Sequence, residues 1–197
     1  MPLVSYARLY RTRESLTVAA VGCAVAVFVG PRPIRVNFAA GFQSERPIGT
    51  LALALPVIGL VWSLADPAPQ LRRTAAVSLR RVQVLHGASV LAFSLLSAML
   101  VNAVVGLDAT FAEACSVSLV YLGAAVVSRS VAGDIGAALL PTALILVAVV
   151  PLALPFNIEA WTTDGWSNAT RLLVGFGLAV VGIGAWVKRP EPVIHIG

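Results

Sequence analysis

The sequence predicts an all-α integral membrane protein with six transmembrane helices, and three observations support this fold class. Hydrophobic residues make up 58% of the 197 residues, and charged residues only 12%. The mean hydropathy is +0.89, whereas soluble domains carry about 25% charged residues. The apolar residues also fall into six runs, and most basic residues lie in the polar segments between them. The chain therefore has too few charges to cover a water-facing surface, and we expect it to lie in a membrane.

The net charge of +5 does not indicate a nucleic-acid partner. The basic residues flank apolar runs, where membrane orientation and lipid headgroups account for them. The two cysteines, Cys23 and Cys115, each lie inside an apolar run and show no metal-ligand or disulfide spacing. We interpret both as small buried side chains.

Residues 2–14 precede the first apolar run. Leu3, Tyr6 and Leu9 recur at helical spacing on one side, which predicts an amphipathic helix at the cytoplasmic membrane interface. A simple terminus that carries orienting charges is an equal alternative. The polar side of this segment is basic: Arg8, Arg11 and Arg13.

The first predicted span covers about residues 15–30, and a loop over 31–47 follows it. The second span covers about 48–65, and Pro56 in its middle should kink it. A packed bundle tolerates such a kink because neighbouring groups can satisfy the freed backbone.

Residues 66–81 form the longest polar interruption between apolar runs, continuing to His86 at the start of the next one. Asp66 could cap a helix whose first turn holds Pro67 and Pro69. Leu71, Ala75 and Leu79 fall on one helical stripe, and basic residues occupy another face. We therefore predict a helix along the cytoplasmic membrane surface, with its charges at Arg72, Arg73, Arg80 and Arg81.

The remaining spans are predicted at about 82–106, 114–128, 135–154 and 171–187. A short outer turn joins the first two of these, and a tight polar turn over Ser130–Asp134 joins the next two. Pro141 lies inside the fifth span. The outer loop 155–170 carries Trp161 and Trp166, which are typical of a membrane interface.

Two polar residues lie within the third span. His86 is near its cytoplasmic end, where we expect a solvated or snorkelling side chain rather than a functional one. For Asn102 we expect an interhelical hydrogen bond in preference to a substrate contact. The last span holds two pairs of glycines seven residues apart, which predict close helix packing or dimer contacts: Gly175, Gly177, Gly182 and Gly184.

The charges predict that both termini are cytoplasmic. With that orientation the outer segments hold four basic residues, Arg32, Arg35, Arg46 and Arg171. An excess of basic residues on the inside is the usual pattern. The inner segments hold ten: Arg8, Arg11, Arg13, Arg72, Arg73, Arg80, Arg81, Arg129, Lys188 and Arg189.

Signatures of catalysis are missing from the sequence. There is no G-x-x-x-x-G-K-[ST] phosphate loop, no H-E-x-x-H, and no G-x-S-x-G nucleophile motif. His86 and His195 are the only histidines, and His195 lies in the C-terminal tail. We therefore expect no enzyme activity, no metal and no cofactor in this chain, so any ATP hydrolysis must occur on another chain.

The layout resembles the membrane subunit of ABC transporters of the type-2 exporter permease family. The features that carry the resemblance are the basic segment 2–14, the six spans, the polar segment 67–82 and the outer region between the last two spans. The resemblance implies a cytoplasmic coupling helix that docks on a separate ATPase, which binds ATP and magnesium. The residues implied in that contact are Arg72, Arg73, Leu79, Arg80 and Arg81.

The resemblance also implies a second permease subunit, identical or different. The preference for arginine over lysine, with abundant alanine, valine and glycine, is typical of a high-GC bacterial genome, so we expect a location in the bacterial inner (cytoplasmic) membrane. The nearly charge-free spans suit an apolar or amphipathic substrate. Two other functions fit the sequence: a non-transporting membrane sensor or assembly partner, and a small secondary transporter. Secondary transporters usually carry ionisable groups at mid-bilayer, which these spans almost lack.

Overall fold

The computed structural model describes residues 12–29, 33–37, 43–47, 52–64, 79–105, 111–149 and 167–188. Within them the chain forms five helices and one β-hairpin. In chain order these are α1 (Thr12–Val29), β1 (Pro33–Asn37), β2 (Gln43–Pro47), α2 (Ala54–Trp62), α3 (Leu79–Val105), α4 (Phe111–Val149) and α5 (Asn168–Lys188). The fold is helical, as predicted, with one hairpin added.

Among the described residues, three helical segments are long and apolar enough to cross a membrane: Gln83–Val105 in α3, Phe111–Ala132 in α4 and Asn168–Val187 in α5. In α4, 67% of the most apolar stretch is buried inside the protein, against 28% in each of the other two. The first part of α4 is therefore the centre of the helix bundle, and α3 and α5 present apolar side chains outward. Ile135–Leu146, later in α4, is a shorter apolar segment.

The loop predicted over residues 31–47 contains the antiparallel hairpin. The register pairs Pro33 with Pro47 and Asn37 with Gln43. Proline has no backbone N–H to donate, so the two prolines mark the end of the ladder. The five residues that connect the strands are within the usual length of a hairpin loop.

Helix α2 is much shorter than the span predicted over 48–65. Its nine residues extend about 14 Å, roughly half the thickness of a bilayer core. Pro56 lies in the first turn of α2, where a missing N–H costs little, so it does not kink the middle of a longer described helix. Ser63 and Leu64 end α2 as a turn, with Ser63 N donating to Leu60 O and Leu64 N to Val61 O.

Helices α1 and α2 approach each other through two glycines. A Cβ at Gly22 would lie 2.7 Å from the backbone nitrogen of Pro56, and one at Gly59 would lie 2.8 Å from that of Ala19. Any side chain at either position would thus overlap the partner's backbone. Helix α2 also packs against α4, and its Val57, Leu60 and Val61 are buried in the core.

Residues Ser130–Asp134, predicted to form a turn between two spans, are helical within α4. The helix nevertheless bends sharply there. The Ser128 hydroxyl donates to the carbonyl of Gly136, eight residues later, and in a straight helix these residues would be about 12 Å apart. The change of direction predicted at this place is thus achieved by a bend, and a Cβ at Gly136 would overlap the carbonyl of Ser128.

The most extensive helix contact joins α4 and α5. A Cβ at Gly175 would lie 2.7 Å from the backbone nitrogen of Val120, and one at Gly182 would lie 2.8 Å from the side chain of Val126. These two glycines therefore make the close packing predicted for the last span. A Cβ added at Gly177 or Gly184, the other pair, would have no atom of the described residues within 4 Å.

We expect Gly175→Ala to destabilise the protein by about 1–3 kcal/mol, because the added methyl group would force α4 and α5 apart. Gly177→Ala, two residues away on the same helix, should be neutral or stabilising by up to about 1 kcal/mol, since alanine favours helix more than glycine. Unfolding of purified protein in mixed detergent and SDS micelles measures both. Equal losses in the two variants would show that the α4–α5 contact is not set by Gly175.

Candidate functional site

The most polar part of the buried core lies at the C-terminal end of α2. The last carbonyls of any helix have no partner within the helix, and those of Gly59, Leu60 and Val61 belong to buried residues. A buried carbonyl without a hydrogen bond is costly. The closing turn supplies donors to Leu60 O and Val61 O, and side chains from three other helices add donors to this helix end, including those to Gly59 O and Ser63 O.

Helix α1 contributes Ser15, which is 2% exposed. Its hydroxyl donates to the carbonyl of Gly59 over 2.5 Å, with the carbonyl of Leu60 at 3.5 Å. Helices α1 and α2 are therefore joined by a hydrogen bond as well as by close packing at their glycines.

Helix α3 contributes His86, whose Nε2 lies 3.0 Å from both the carbonyl oxygen and the hydroxyl of Ser63. Because a carbonyl oxygen only accepts, Nε2 carries the proton and donates. The Ser63 hydroxyl itself donates to Leu60 O over 2.6 Å. His86 is 4% exposed, so the expectation of a solvated or snorkelling histidine is wrong: its ring is held inside the bundle by the end of α2.

Helix α4 contributes Arg129, whose Nη1 donates to the carbonyl of Val61 over 2.7 Å. The residue is 7% exposed. A positive charge at a helix C-terminus interacts favourably with the helix dipole, and a hydrogen bond from a charged donor is stronger than a neutral one. From the sequence we predict only that Arg129 is one of the cytoplasmic charges that orient the protein in the membrane. Its buried hydrogen bond to Val61 is not part of that prediction. An arginine within a long apolar stretch is the signal that could have shown it.

Helix α5 joins the group through Trp186. Its ring is tilted by 53° against that of His86, with ring centroids 6.3 Å apart. The indole nitrogen is buried and has no hydrogen-bond partner among the described residues. We call this group the α2 junction; it consists of Ser15, the residues 59–63, His86, Arg129 and Trp186.

The α2 junction lies at the base of the predicted coupling segment. Ser63 ends α2 just before that segment, and His86 lies in the second turn of α3 just after it. Their hydrogen bond therefore joins the described residues that flank the predicted coupling segment in the sequence. Because they are 23 residues apart, this proximity is not visible in the sequence.

Of the residues predicted to contact the ATPase, Arg72 and Arg73 lie outside the described residues. Leu79, Arg80 and Arg81 form the first turn of α3. Of the predicted interfacial helix, Arg8 and Arg11 fall outside the described residues, and Arg13 is exposed in the first turn of α1.

A second polar contact lies at the opposite end of the first part of α4. Arg171, 4% exposed, has its Nη1 3.8 Å from Oε1 of Glu113, and it ties the start of α5 to the start of α4. Asn102 of α3 is also buried, but its Oδ1 has no hydrogen-bond partner among the described residues. The predicted interhelical bond is not made by that oxygen; such a contact is made instead by Ser94 and Ser118, whose hydroxyl oxygens are 2.8 Å apart.

The hydrogen bonds of the α2 junction hold the C-terminal end of α2 in place against the neighbouring helices. Ser15, His86 and Arg129 each direct a donor at a backbone carbonyl of the same helix end. The described part of the chain holds no group of three or more His, Cys, Asp or Glu side chains placed to bind a metal ion. Cys23 and Cys115 are free thiols.

Comparisons with protein-family models, curated proteins and solved structures found no match to this chain.

We expect His86→Phe to destabilise the protein by about 1–2 kcal/mol, because it leaves the buried carbonyl of Ser63 without its donor. His86→Gln, which retains an N–H donor, should lose less. Ser89→Ala is the matched control, since Ser89 is exposed one turn later and bonds only to its own helix through Leu85 O. SDS-induced unfolding measures the series, and a His86→Phe variant as stable as Ser89→Ala would contradict the assigned bond.

Proposed function

We propose that this chain is the membrane-spanning permease subunit of an ATP-driven ABC exporter. It would lie in the bacterial cytoplasmic membrane as a multi-pass protein with both termini in the cytoplasm. Three helices of membrane-crossing length support a membrane location. The observation that carries the proposal is the Ser63–His86 bond, which fixes the base of the basic segment predicted to meet an ATPase.

In the proposed mechanism two permease subunits and two ATPase chains form the transporter. ATP and magnesium bind to the ATPase, whose closure moves the segment 66–81 of each permease. That movement reaches the bundle at the end of α2 and the start of α3, the two elements joined by Ser63 and His86. The outward apolar side chains of α3 and α5 suit contact with lipid and with an apolar or amphipathic substrate.

A small secondary transporter is the second candidate, and the buried charges favour it. Ionisable residues inside membrane helices often mark ion or substrate paths, and Arg129 and Arg171 are both buried. Yet Arg129 bonds to a backbone carbonyl and Arg171 faces Glu113 near a helix start. Arginine does not release its proton in proteins, so neither serves as a proton carrier, and the ATP-driven function is preferred. A sensor or assembly partner without transport is the third candidate.

Co-purification with an ATPase tests the proposal directly. In complex with its ATPase, the variant with both Arg73→Glu and Arg80→Glu should lose stimulation of ATP hydrolysis, because reversed charges would repel an acidic docking surface. Arg32→Glu with Arg46→Glu is the matched control, since it reverses two charges on the predicted outer side. Consistent purification without any ATPase would refute the permease function, and stimulation unchanged by the Arg73 and Arg80 changes would exclude this segment as the docking element.

Labelling of single cysteines tests the orientation. With Cys23 and Cys115 replaced by alanine, Gln43→Cys in β2 should react with a membrane-impermeant maleimide added to intact cells. Ser78→Cys should react only after the membrane is opened, because the excess of basic residues predicts a cytoplasmic position for it. The reverse pattern would invert the proposed topology.

A further inference from the structure

We propose that Arg129 and His86 are positioning residues that clamp the end of α2 directly to α4 and α3, and through Trp186 to α5, so that a displacement of the end of α2 moves these helices together. The restraint itself follows from the described contacts. Its use in transport rests on the proposed function, because an ATPase is the proposed source of the movement.

The first step is the attachment of α2 to its neighbours. The helix is short, and Leu53, Val57 and Val61 are completely buried. Its C-terminal carbonyls accept hydrogen bonds from Ser15 and Arg129, and the carbonyl that follows them accepts one from His86. Breaking such a buried hydrogen bond is costly, because no water is available to bond the freed carbonyl group. A displacement of the C-terminal end of α2 therefore moves the helices that hold it.

The second step concerns where the clamp attaches to α4. Arg129 directly follows Ser128, whose hydroxyl bonds across the bend to Gly136. A force delivered through Val61 O thus reaches α4 beside its bend. A displacement of α2 there changes the angle between the two parts of α4, whereas attachment in the middle of a straight helix would only translate it.

The third step is the link to α5. His86 contacts the ring of Trp186, and a Cβ at the adjacent Gly87 would overlap the side chain of Ile183. Helix α3 therefore touches the last turns of α5 tightly at this level. The clamp therefore joins the end of α2 to α4 through Arg129 and, by way of His86 on α3, to α5. Helices α4 and α5 are the pair with the most extensive contact among the described elements.

Hydrogen–deuterium exchange of the purified permease, without any ATPase, tests the restraint. In Arg129→Met, amides of residues 57–64 should exchange about tenfold faster, because a charge-assisted hydrogen bond to the end of α2 is lost. Arg129→Lys, which retains a charged donor, should recover much of the protection. Arg13→Met is the matched control, since Arg13 is exposed on α1. Exchange in Arg129→Met equal to that in Arg13→Met would overturn the clamp, whether or not an ATPase is found.

The role in transmission is tested in the complex with the ATPase. Val131 lies two residues after Arg129 and is 84% exposed, so Val131→Cys in a background lacking Cys23 and Cys115 reports on the bend. A non-hydrolysable ATP analogue should change its reaction rate with maleimide. Adding Arg129→Met should abolish that change while the ATPase stays bound, and adding Arg129→Lys should restore it.

The outcomes separate the two proposals. If Arg129→Met leaves the nucleotide-dependent change intact, the clamp does not transmit movement, although the permease function stands. If no ATPase binds the unaltered protein, the permease function fails. In that case the exchange measurement alone decides whether the clamp exists as a restraint, and its assignment to transport is overturned.

Discussion

The structure depends on how the buried C-terminal end of α2 is satisfied. A helix that stops inside an apolar bundle leaves carbonyl groups where no water can reach them. Three side chains from three helices donate to that end, and each can do so only if its helix has the observed position and rotation. One polar requirement thus fixes the mutual placement of α1, α3 and α4 around α2, which apolar packing alone would specify loosely.

Close packing through glycine makes these polar contacts possible. Gly22 and Gly59 let the backbones of α1 and α2 approach, and that approach brings the Ser15 hydroxyl within reach of Gly59 O. Against α4, Gly175 and Gly182 let α5 pack closely on Val120 and Val126. In a membrane, lipid tails compete equally well for apolar surface, so such fits and hydrogen bonds supply much of the specificity of helix association.

Hydropathy was sufficient to predict the helical class and the positions of α3, α5 and the first part of α4, because long apolar runs have few other ways to satisfy their backbones. It could not show that the described helix α2 covers only Ala54–Trp62, since the apolar run extends beyond the helix at both ends. Nor could it show the bend in α4, where the residues of the predicted turn remain helical and one hydroxyl bond sets the geometry. Both features arise from contacts between residues that a local pattern does not connect.

The junction residues were the hardest to predict, for a related reason. His86 and Arg129 lie near span ends, where solvation and orienting charge are ordinary explanations of a polar side chain. Their actual role depends on the end of another helix, 23 and 68 residues away. A buried positive charge needs a stabilising partner. The C-terminal end of a helix can be that partner without any acidic side chain, so the sequence gives no sign of it. Where an arginine interrupts an apolar run and no acidic residue is placed to pair with it, the C-terminal end of another helix is therefore a candidate partner. In this protein that partner is the end of α2, which Arg129 contacts.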